Sequence, residues 1–91
     1  MTMKGKRVLV TGATDGIGLQ AAVELAALGA SLHIVGRDPD KLGRAADRVA
    51  EAAGGRPPAT YLADLSSQAS IRRLAEEVKA KLLAQNEMSG P

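Results

Sequence analysis

The chain has 91 residues and a formal net charge of +2, with twelve Lys and Arg interleaved with ten Asp and Glu. That length allows one domain, and a domain so small buries only about 60% of the surface its unfolded chain exposes. The mixed charges and the single aromatic, Tyr61, exclude the basic stripe and stacking platform of a nucleic-acid binder; the lack of cysteine excludes disulfides and thiolate metal sites, and His33 alone makes no metal centre.

No apolar run approaches the roughly 20 residues that cross a bilayer, and "MTMKGKRVLV" runs straight into a strand pattern in place of a signal-peptide core. The chain is therefore expected to be soluble and cytoplasmic, with no membrane partner.

The first element is "RVLV", Arg7 to Val10, a β-branched and aliphatic run of the kind buried in parallel sheets. A helix follows, in which Ile17, Ala21, Leu25 and Leu28 recur at helical spacing, Gln20 and Glu24 take the other face, and Gly29 stands where a left-handed terminator belongs. "SLHIV", Ser31 to Val35, is the second strand, and its exit "GRDPDKL" places Asp38 as an N-cap with Pro39 at the first helical position.

The second helix carries Leu42, Ala45, Ala46, Val49 and Ala53 on one stripe and stops at Gly54 and Gly55. After the stiff "RPP" comes a third strand, "ATYLA", Ala59 to Ala63. Ser66 or Ser67 then caps a third helix with Ile71, Leu74, Ala75, Val78 and Leu82 inward, so that residues 1–83 form the folded unit and 84–91 a flexible tail. The order β-α-β-α-β-α predicts a parallel sheet with right-handed crossovers, strand order 3-2-1, which is half of a doubly wound α/β fold.

In such a sheet ligands bind beyond the carboxyl ends of the strands, where a strand-to-helix turn aims unpaired backbone N–H groups at an anion. "TGATDGIG", Thr11 to Gly18, occupies that turn. Gly12 can leave the strand at dihedrals closed to other residues, Gly16 lets a pyrophosphate approach the backbone, and Gly18 lets the helix press on the sheet. The same glycines would also serve a plain tight turn, so two other positions carry weight.

Arg37, just past the second strand, stands where NAD-binding folds usually hold an acidic residue, and an Arg there accommodates a 2′-phosphate. Lys41, one helical turn on, adds a second charge; the other reading is that Arg37 and Lys41 are a solvated pair beside Asp38 and Asp40. Asp64, at the end of the third strand, either accepts a hydrogen bond from an adenine amino group or caps the turn into "SSQAS".

"TGATDGIG", "VGRD" at Val35 to Asp38 and "ADLS" at Ala63 to Ser66 together resemble the amino-terminal part of a short-chain dehydrogenase/reductase. The resemblance implies a three-layer Rossmann-like half that stops before the fourth strand. It implies a dinucleotide pyrophosphate on the Gly12, Gly16 and Gly18 turn with its intervening Thr14, Asp15 and Ile17, a 2′-phosphate on Arg37 with Lys41, and adenine on Asp64 and the Leu65 backbone. NADP(H) is thereby favoured over NAD(H), although Asp15 stands where NADP-using members often carry a second basic residue.

The family's Asn-Asn-Ala-Gly motif, its catalytic Ser and its Tyr-x-x-x-Lys pair are not in the chain; Leu65, not Lys, stands four residues after Tyr61. What is implied is the cofactor-binding portion of an oxidoreductase whose full-length form moves hydride between NADPH and a carbonyl or alcohol. By itself it has no catalytic residue and no metal. The alternative is a non-catalytic nucleotide-binding module, or a structural one. With no fourth strand, the free edge of the first is expected to pair with a second copy, giving a homo-oligomer.

Overall fold

The computed structural model describes residues 2–89, with side-chain surroundings through residue 84. Its elements are β1 (Arg7–Thr11), α1 (Gly16–Ala27), β2 (Ser31–Gly36), α2 (Pro39–Ala52), β3 (Ala59–Leu62) and α3 (Gln68–Ser89). The strands form one parallel sheet in the order β1-β2-β3, the order the sequence predicts. Register is set by Val10 opposite Ile34 on one side of β2 and by Val35 opposite Tyr61 on the other.

As the central strand, β2 is covered on both faces, which is why "SLHIVG" is apolar almost throughout instead of alternating. Leu32 and Ile34 point to the layer of α1 and α2, where they meet Ala22, Ala26, Leu42, Ala45 and Val49. Val35 points to the opposite layer, where it meets Tyr61, Ala63 and Leu74 of α3. The result is helix, sheet, helix, as the sequence order required.

Both crossover helices end as their glycines dictate. Gly29 has φ 100°, and its amide and that of Ala30 return to the carbonyls of Ala26 and Leu25 at 3.0 and 3.1 Å. At the end of α2, Gly55 donates to the Ala50 carbonyl at 2.8 Å in the same pattern. Asp38 caps α2, its Oδ1 accepting from the amides of Asp40 and Lys41 at 2.9 and 3.2 Å. Those amides, aided by the charges of Lys41 and Arg44, hold its carboxyl below the usual value.

Two sequence expectations need adjustment. The fully buried positions of α1 are Ala22 and Ala26; of the expected series Ile17, Ala21, Leu25 and Leu28, Leu25 packs against that core while only partly buried, and Ile17 is 89% exposed. The helix sits so close to the sheet that the contact stripe must be small, and the larger side chains are displaced to its flanks. The segment expected as a tail from residue 84 continues α3 to Ser89, since Ala84, Gln85, Glu87 and Met88 are good helix formers and no Gly or Pro intervenes; residues 90 and 91 of that tail lie outside the described residues. No helix among the described residues is long and apolar enough to cross a membrane.

Candidate functional site

Where β1 ends, the chain turns sharply into α1. Gly12 and Gly16 have φ of 66° and 59°, in the left-handed region that side chains other than glycine's rarely adopt. Between them Ala13 is wholly buried and pins the turn to the core. At Gly18 a Cβ would collide with the Gly12 carbonyl oxygen and lie 2.9 Å from the Gly12 carbonyl carbon, so only glycine lets the first turn of α1 close on the strand end.

Asp15 occupies the N-cap of α1, but its carboxylate accepts no amide of the helix. The first helical bond runs from the Leu19 amide to the Asp15 carbonyl at 3.3 Å. The amides of Gly16, Ile17 and Gly18 are left without a partner among the described residues, concentrated at the positive end of the helix dipole. Asp15 instead extends across to α2, its Oδ2 lying 3.7 Å from Lys41 Nζ, with both side chains largely in solvent.

Beside this turn lies an open cleft of about 330 Å³, lined among others by Gly12, Thr14, Gly36, Arg37, Asp64 and Leu65. Its walls come from the carboxyl ends of all three strands. Asp64 Oδ1 accepts from the Ser66 hydroxyl at 2.6 Å and the Ser66 amide at 3.0 Å. These two bonds, and then the nearby Arg37 charge, hold the Asp64 carboxyl below its usual value.

The sequence-derived candidates thus divide into two adjoining groups. Gly12, Thr14, Arg37, Asp64 and Leu65 share the cleft. Gly16, Ile17 and Gly18 form the first turn of α1 next to it, and Asp15 with Lys41 bridges the two helix starts. Of the two readings of Asp64, the turn cap is realised through Oδ1. Of the two readings of Lys41, an ion pair is formed, but with Asp15 and not with Asp38 or Asp40.

Gly36 was not singled out in the sequence, yet a Cβ there would lie 2.6 Å from Thr14 Cγ2 and 3.4 Å from Leu42 Cδ1. It is what allows Thr14 to close over the end of β2. Its only signal was its place in "VGRD". Of Ser66 and Ser67, the two expected caps of α3, Ser67 takes the role, its hydroxyl accepting from the Ser70 amide at 3.3 Å, while Ser66 bonds Asp64. No cluster of three or more potential metal ligands is present among the described residues.

A family profile described as short chain dehydrogenase matches residues 6–86. The chain is 40% identical over 77 residues to glucose 1-dehydrogenase of Gluconobacter oxydans, covering 84% of this chain and 29% of that protein. It superimposes with a TM-score of 0.78 at 34% identity on the Escherichia coli oxidoreductase yciK, over 86% of this chain and 32% of that one. The TM-score and identity are the same for Pseudomonas aeruginosa RhlG, solved as an active-site complex with NADP, over 87% of this chain and 31% of that one. The chain spans under a third of the length of each of these proteins.

Proposed function

The chain belongs to the short-chain dehydrogenase family, and on that premise we propose that it holds the adenosine and pyrophosphate portion of a nicotinamide dinucleotide. The observation that carries this is the convergence of Gly12, Thr14, Arg37 and Asp64, from three strand ends, on one cleft beside an uncapped helix N-terminus. Unpaired amides at the end of a helix dipole are a ready site for an anion, and a glycine turn lets phosphate reach them.

In this reading the amides at Gly16, Ile17 and Gly18 hold the pyrophosphate. Asp64, whose Oδ1 is engaged by Ser66, offers Oδ2 to the adenine amino group beside the Leu65 backbone. NADP(H) is favoured over NAD(H), because Arg37 places a guanidinium where an NAD site carries an acid, and it can grip a phosphate through two parallel bonds. When bound, the nicotinamide supplies a hydride donor or acceptor.

These residues bind and orient; they do not exchange protons with a substrate. Tyr61, the one tyrosine, is 2% exposed and bonded to His33, so its hydroxyl is committed to the core. Hydride transfer between NADPH and a carbonyl or alcohol is accordingly proposed for the family's longer chains, and binding without catalysis for these 91 residues.

Calorimetry with NADPH and NADH on the chain and on Arg37→Asp tests the assignment. The expected result is a preference for NADPH of about tenfold or more that Arg37→Asp abolishes, since charge-assisted bonds contribute about 1.5–3 kcal/mol each. Equal affinity for both cofactors in both proteins overturns it.

A second reading rests on β1, which among the described residues pairs with β2 alone. Leu9 is 48% exposed and joins Ile71, Leu74, Val78 and Leu82 around an apolar groove of about 480 Å³. Such an edge favours pairing of copies. Light scattering with and without NADPH decides whether the chain associates and whether cofactor governs it; a monomer at micromolar concentration in both overturns this reading.

A further inference from the structure

Two helices of this chain begin with an aspartate N-cap, and the two behave oppositely. Asp38 turns its carboxylate onto the amides of Asp40 and Lys41, as an N-cap aspartate ordinarily does. Asp15 occupies the same position in α1 and accepts none of the α1 amides. The two differ in backbone, Asp15 at φ −160° and ψ 176° before Gly16 at φ 59°, against Asp38 at φ −103° and ψ 115°, and in the ion pair they make: Lys41 Nζ stands 3.7 Å from Asp15 Oδ2. Lys41 gives its backbone N–H to one N-cap and its ammonium to the other.

We propose that Lys41 is a positioning residue that keeps the start of α1 open by drawing the Asp15 carboxylate away from it. The inference rests on the reading of this turn as the pyrophosphate site. Without the ammonium, nothing holds the Asp15 carboxylate toward α2, and the positive helix start, with the free amides of Ile17 and Gly18, draws it inward. An incoming pyrophosphate would then have to displace an internal anion and remain beside it. The role differs from a direct grip on a 2′-phosphate, because it acts on cofactors with and without that group.

The test is NADH binding, since NADH has no 2′-phosphate. Lys41→Met is expected to weaken NADH about three- to tenfold, the modest scale set by an exposed ion pair and one helix cap. In an Asp15→Ala background the same substitution is expected to cost less than about 1.5-fold, because no carboxylate remains to swing inward. If Lys41 attracted the cofactor's phosphates directly, the loss would persist in that background, and the proposal would be overturned.

Amide hydrogen exchange gives a readout that needs no cofactor. Protection at Ile17 and Gly18 should rise in Lys41→Met and fall back in Asp15→Ala/Lys41→Met; unchanged exchange in Lys41→Met overturns the proposal. If no variant binds NADH, the cofactor reading fails, and exchange at these two amides still decides what Lys41 does.

Discussion

His33 Nδ1 and the Tyr61 hydroxyl meet at 2.8 Å beneath α3, their rings stacked with centroids 5.8 Å apart and planes 16° from parallel. Both residues are nearly inaccessible, at 3% and 2% exposure. Because Tyr61 is registered opposite Val35, it lies diagonal to His33 on the same face of the sheet. The pair therefore satisfies two polar side chains inside an otherwise aliphatic layer.

Burial, reinforced by the charges of Arg7 and Lys81, lowers the His33 pKa below its ordinary 6.5. Burial, reinforced by Glu77, raises that of Tyr61 above 10.0. On acidification the unfolded chain takes up the imidazole proton first, so stability falls as pH drops from 6.5 through the lowered folded value. On alkalisation the unfolded chain loses the phenol proton first, so stability falls again above 10.0. Urea denaturation across pH should show both losses. His33→Phe should remove the acid-side loss near neutrality but cost about 1–3 kcal/mol at pH 8, because it orphans the Tyr61 hydroxyl; His33→Phe/Tyr61→Phe should recover part of that cost.

Gly18 and Gly43 predict opposite responses to alanine. At Gly18 the added Cβ meets the backbone of Gly12, which cannot yield without opening the turn, so Gly18→Ala should destabilise by about 1–3 kcal/mol and weaken dinucleotide binding. At Gly43, inside α2, a Cβ meets nothing within 4 Å and φ is not in the left-handed region. Gly43→Ala should therefore stabilise by about 0.5–1 kcal/mol. Denaturation midpoints of the two variants, measured side by side, check both signs.

Ser66 should control the charge state of Asp64. Removing its hydroxyl in Ser66→Ala takes away the largest influence holding that carboxyl low, so the Asp64 titration followed by carbon NMR should move up toward the ordinary carboxylate value. Asp64→Asn should abolish the signal and identify it. A titration unmoved by Ser66→Ala would assign the lowering to the Ser66 amide and the Arg37 charge, which the substitution leaves in place.

The order of elements was legible because each carries its own punctuation: Asp38 with Pro39 opens α2, and Gly29 and Gly54 close their helices through local backbone geometry. The cleft was legible in part for the same reason, since Gly12, Arg37 and Asp64 each follow a strand. The buried face of α1 was not. Hydrophobicity ranks Leu25 and Leu28 above Ala22 and Ala26, but the closeness enforced at Gly18 selects for size. Nor was the His33–Tyr61 bond, which joins residues 28 apart through a register that no local pattern encodes. The position of Asp15 could be read, but the direction of its carboxylate depended on Lys41 reaching across from another helix.

The two layers flanking the sheet are unequal. Among the described residues, nine buried side chains knit α1 and α2 to the strands, whereas the α3 side has a cluster of four, only Leu74 of which belongs to the helix. The glycine turn and the cleft are built from the ends of β1, β2 and β3 and from the starts of α1 and α2. Opening α3 therefore breaks the smaller set of contacts and leaves the turn's own supports in place. Peeling of that helix should be a lower-energy local unfolding event than loss of the turn and cleft, with its amides exchanging before those of β2.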